Sequence, residues 1–182
     1  MNGYGALLHS TGGLLWLARG ILLAAFVLHV TAAVQLTRRG RKARTVSYER
    51  FEPQVATAAS RTIRWGGLLL FVFVVLHTLQ MTMGVWHPDF RAGDDYHNVL
   101  RIFRVWWTVP LYLLAVLALG MHLYHGVWSM LRTLGVSRPS AAPRRRSLVL
   151  VIALAVALGF ASIPLAVRLG VLHDAAPAVT RR

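Results

Sequence analysis

The chain contains no cysteine. That single absence removes disulfides, iron–sulfur ligation and any covalent or thiolate attachment of a metal group, and leaves histidine as the residue for metal chemistry. Acidic residues are scarce as well: 6 Asp and Glu stand against 20 Lys and Arg over 182 residues, for a formal net charge of +14. No acidic residue falls inside the long apolar runs, so nothing in them can couple an ion as a transporter would. Nucleic-acid binding would need the positive charge on one continuous face, and the same apolar runs forbid it. A basic region and a small-residue cleavage site ahead of the first apolar run are also missing, so no cleavable signal peptide is expected.

What remains is abundant hydrophobicity. The chain is 56% hydrophobic with a mean hydropathy of +0.54, and its charges sit in short clusters between apolar runs at about 14–36, 65–86, 105–131 and 148–167. Each run meets the roughly 20 residues that a helix needs to cross a bilayer. Unpaired backbone groups are costly in lipid, which makes helices the only economical solution here. The expected fold is therefore all-α, a single polytopic transmembrane helix bundle with four spanning helices. The basic clusters Arg38 to Arg44 and Arg144 to Arg146 fall in connections at about 38–61 and 132–146, on one side of a four-span bundle. The positive-inside rule makes that side cytoplasmic, with both ends of the chain outside. Asp94 and Asp95 are suited to cap a short helix that leads into the third run.

Histidine is where the membrane runs depart from a plain anchor. An ionisable residue inside a spanning segment marks a functional site by default. His29, His77, His122 and His125 all lie inside such runs. At about 1.5 Å per residue, His29 lies about 13 Å from Arg38 (38 − 29 = 9 residues). From Arg132, His125 lies about 10 Å away (132 − 125 = 7 residues) and His122 about 15 Å. These three share one level, which is what a haem iron with two axial imidazoles requires of two helices. His125 is the favoured partner of His29, and His122, one turn away on nearly the same face, can replace it. His77 lies about 20 Å from Arg64 (77 − 64 = 13 residues), at a level with no other intramembrane histidine. It is a haem ligand whose partner comes from elsewhere, or a packing or quinone-facing residue. Arg64 and Arg132 flank the inner level and can meet haem propionates. Glycines 66, 67, 120 and 126 suit the close approach of helices or of a flat cofactor.

Several strings are more specific than this pattern. Arg61 to Gly67 (RTIRWGG), Val75 to Thr82 (VLHTLQMT), Tyr96-His97-Asn98-Val99, Phe103 to Trp107 (FRVWW) and Gly120 to Trp128 (GMHLYHGVW) occur in this order. Together they resemble the cytochrome b558 membrane subunit of succinate dehydrogenase/fumarate reductase. The resemblance implies a haem-b-bearing anchor that passes electrons between an iron–sulfur subunit, itself fed by a flavoprotein subunit, and menaquinone. It also implies that His29, His77 and His125 match haem ligands on three successive helices of a five-helix family, with His29 and His125 sharing the haem nearer the cytoplasm. The N-terminal segment, Asn2 to Trp16, resembles the external segment that comes after the family's first helix, so the resemblance implies that this helix, with its ligand, is missing. Two other functions are open to these residues: a cytochrome b of another membrane oxidoreductase, of hydrogenase or formate dehydrogenase type, and a haem-free anchor that frames a quinone site.

Overall fold

A computed structural model describes residues 2–43, 58–136 and 142–173, and among these all regular structure is helical. The chain divides into two compact units, Met1–Gln54 and Val55–Arg182. In the first, α1 (Asn2–Ser10) is joined to α2 (Gly13–Lys42) by a tight turn in which Gly12 takes φ of 50°, a conformation glycine adopts at little cost. At 30 residues α2 is about 45 Å long, more than a hydrocarbon core of about 30 Å needs. It continues past residue 36, where the apolar run ends, because Arg39, Arg41 and Lys42 fill its last turn and complement the negative end of the helix dipole.

The second unit holds α3 (Ala58–Met83), α4 (Asp95–Arg104), α5 (Thr108–Thr133) and α6 (Ala142–Arg168). Helix α5 packs against both α3 and α6, and the short α4 packs against all three. Helix α5 lies close to α6 at Gly120, where an added Cβ would lie 3.2 Å from the Cβ of Ala157. As expected, the Asp94 side chain caps α4, accepting the backbone N–H of His97 at 3.2 Å. Helix α4 does not run into α5. Val105 is extended (φ −71°, ψ 123°), and Thr108 starts the new helix with its hydroxyl on the Val105 carbonyl at 2.8 Å. Arg144 to Arg146 lie in the first turns of α6 rather than in a connection, and residues 44–57 and 137–141 lie outside the described residues.

Burial is concentrated at the α4 end, where Leu100, Ile102, Phe103, Val109, Tyr112 and Val167 form one core. Along most of the spanning helices the large apolar side chains point outward, among them Leu68, Leu117, Leu150, Leu158 and Phe160. Water would not tolerate that surface, and lipid is its natural solvent. Four helices, Gly13–Lys42, Thr62–Met83, Thr108–Thr133 and Pro143–Arg168, are long and apolar enough to cross a membrane.

Candidate functional site

Two sets of polar side chains interrupt the apolar faces of α3 and α5, at different levels. The first is a groove of about 150 Å³ lined by Thr62, Ile63 and Gly66 of α3 and by Leu117, Met121 and His122 of α5, among others. His122 faces the glycine pair: a Cβ built on Gly67 would lie 3.7 Å from its Cε1. A Cβ on Gly66 would meet nothing within 4 Å, so the α3 wall is flat and the groove open beside the imidazole. His125, one turn further along α5, is partly buried and does not line this groove. Arg64 and Arg132 are exposed. His29 is exposed on α2, in the first unit.

The second set lies ten residues away along both helices (77 − 67 and 122 − 112), about 15 Å at helical rise. Here Nδ1 of His77 lies 3.3 Å from the hydroxyl of Tyr112, and that hydroxyl donates to Oε1 of Gln80 at 3.0 Å. Phe73 stacks on the His77 ring at 5.7 Å, while Phe73 and Phe103 meet Tyr112 edge-on at 4.9 and 4.8 Å. Tyr112 is 6% exposed and Gln80 is 0% exposed, yet His77 itself is exposed on the surface of the unit. Among the described residues Nε2 of Gln80 has no hydrogen-bond partner. Sequence reasoning passed over Tyr112 and Gln80. The available signal was that each is a polar group in an apolar run, and buried polar groups in lipid seek partners on neighbouring helices.

Beyond the membrane level, the connection from α3 to α4 is clamped onto α4. Asp89 Oδ2 lies 3.0 Å from Nε2 of the buried His97, 3.4 Å from Arg91 and 3.5 Å from Nε of Arg101. Desolvation pushes the Asp89 carboxyl up, but Arg91, His97 and Arg101 together outweigh it and hold the pKa below the ordinary 3.8. Asn98 grips the Arg91 backbone through both its amide atoms, and His87 Nε2 lies 2.8 Å from the Asn98 carbonyl. The sequence had singled out Asp94 and Asp95 among the acids of this segment; the one that gathers the cations is Asp89.

No group of three or more metal-ligating side chains converges among the described residues. A haem would ask for less of the chain, since it brings most of its iron's ligands with it and would be held by histidine. His122, beside an apolar and glycine-lined stretch of α3, is the residue here that would hold such a group. The comparisons with known proteins then decide the family. A sequence model of the succinate dehydrogenase/fumarate reductase transmembrane subunit matches residues 37–161, more than half of the chain. The chain belongs to this family. It is a multi-pass membrane subunit that anchors a succinate/fumarate oxidoreductase and associates with the other subunits of that enzyme. The family match contains the groove, His77, Tyr112 and Gln80, and it begins after His29. No curated protein and no solved structure matches the chain.

Proposed function

We propose that this subunit binds haem b and passes electrons between the iron–sulfur subunit of succinate dehydrogenase/fumarate reductase and menaquinone. The observation that carries the proposal is the placement of His122 against Gly67 in an apolar groove at membrane depth. His122 is accordingly favoured over His125 as the α5 ligand, and His29 is its partner by matched depth along the sequence. A second haem is assigned to His77, about 15 Å away along α3, with its other ligand from a helix outside this chain. Two haems at two levels suit a path across the membrane. When bound, a haem held by two of these imidazoles would supply one-electron transfer. The chain holds the imidazoles at fixed depth, excludes water with the apolar walls of α3 and α5, and offers Arg64 and Arg132 to propionates. The arginine-rich side is assigned to the cytoplasm of a bacterial cell, where the iron–sulfur and flavoprotein subunits dock.

Haem content of the purified complex, measured by pyridine haemochrome, tests this directly. His122→Ala is expected to remove one haem per subunit while His125→Ala keeps it, and His29→Ala is expected to match His122→Ala. The reverse pattern assigns the ligand to His125. A well-folded complex without haem sinks the cytochrome assignment and leaves a haem-free anchor that frames a quinone site.

A further inference from the structure

With Oε1 of Gln80 turned toward Tyr112, the contacts of Tyr112 assign the proton of a neutral His77 to Nδ1. A phenol has one proton, and that of Tyr112 is given to Oε1 of Gln80 at 3.0 Å. The contact between Tyr112 and Nδ1 of His77 at 3.3 Å can then be a hydrogen bond only if Nδ1–H is the donor and the phenol oxygen accepts. A neutral imidazole protonated at Nδ1 carries its lone pair at Nε2, on the far side of the ring from Tyr112.

We propose that Tyr112, oriented by Gln80, is a positioning residue for His77: it holds the ring by Nδ1 and leaves the Nε2 lone pair, on the side away from Tyr112, as a haem ligand. Three further features agree. The anchor is rigid, since Tyr112 and Gln80 are buried and Tyr112 is wedged edge-on between Phe73 and Phe103. The imidazole is exposed although it lies at membrane depth, where an outward-facing ionisable group is costly unless something occupies it. A metal-bound histidine also characteristically donates its other ring N–H to an acceptor, which raises the basicity of the ligating nitrogen. The inference rests on the assignment of His77 as a ligand made above.

The test is a redox titration and low-spin ferric EPR of the haems in the purified holocomplex, for wild type, Tyr112→Phe and His77→Ala. Tyr112→Phe removes the acceptor, so the imidazole becomes a poorer donor. The haem is expected to stay bound, its midpoint potential to rise and its EPR signal to move. Val167→Ala, which loosens the same core without touching the hydrogen bond or the rings that flank Tyr112, is expected to leave the potential in place. If Tyr112→Phe does not assemble, Gln80→Leu reads the same link: Tyr112 loses the acceptor that polarises it, and the shift is expected in the same direction but smaller. An unchanged potential and EPR signal in Tyr112→Phe, with one haem lost in His77→Ala, overturn the positioning role and leave the ligand standing. Full haem content in His77→Ala overturns the ligand assignment, and the positioning role with it.

Discussion

At the scale of single residues, the chain shows how far spacing alone can go. His122 and His125 stand three positions apart, so any argument from helical face or depth serves both almost equally. What separates them is Gly67, fifty-five positions before His122 in the chain (122 − 67), which tertiary packing brings against one imidazole and not the other. Gly84 offers a residue-scale prediction about the frame rather than the site. Its φ of 69° is left-handed, and a Cβ there would lie 2.6 Å from the Phe90 ring. Alanine at this position costs roughly 1–2 kcal/mol from the backbone alone, before Phe90 is displaced. Gly93 has φ of 80° and nothing within 4 Å of a built Cβ, so Gly93→Ala carries the backbone cost only. Thermal denaturation of the solubilised complex is expected to show a clearly larger fall in midpoint for Gly84→Ala than for Gly93→Ala. Equal falls would mean that the Phe90 ring moves aside freely.

At the scale of elements, the four spanning helices were legible because each apolar run is about as long as a helix must be to cross a bilayer with its backbone satisfied. Their ends were less so. Polar residues at a membrane boundary can continue a helix as easily as stop it, which is how α2 takes in Arg38 to Lys42 and α6 begins at Ala142. The cap on α4 was readable from Asp94, whereas the clamp on Asp89 was not, because it joins residues whose side chains meet only after the 84–94 connection folds back. That clamp sets a pH dependence with a definite sign. The Asp89 pKa is depressed in the folded state, so its contribution is fully present above the unfolded value of 3.8 and is lost as pH falls through the lower folded value. Hydrogen exchange of amides 84–98 is expected to hold steady from neutral pH down to about pH 4, once intrinsic rates are corrected, and to quicken below it. Asp89→Asn is expected to show the quickened exchange already at neutral pH. A variant as protected as wild type at both ends of the range would show that Asn98 and His87 hold the connection without the carboxylate.

For the molecule as a whole, the distribution of side chains is inverted relative to a protein in water. The tight core is small and sits where α4 meets the bundle, while the long faces of the spanning helices carry their leucines and valines outward. Lipid solvates those faces, so the polar residues left inside membrane level stand out as the groups that packing cannot explain: the His122 groove and the His77, Tyr112 and Gln80 chain. Charge is the sequence signal for orientation, since basic residues fill the last turn of α2 and the first turns of α6, and the positive-inside rule assigns such ends to one side. Because the chain has no cysteine, this orientation can be read with single introduced ones. Ala92 and Thr133 are both exposed and lie before and after α5, whose 26 residues span about 39 Å. A membrane-impermeant maleimide is expected to label Ala92→Cys in intact spheroplasts and Thr133→Cys only after permeabilisation. The opposite pattern would place the arginine clusters outside, and would move with them the proposed docking face of the iron–sulfur subunit and the proposed direction of electron transfer.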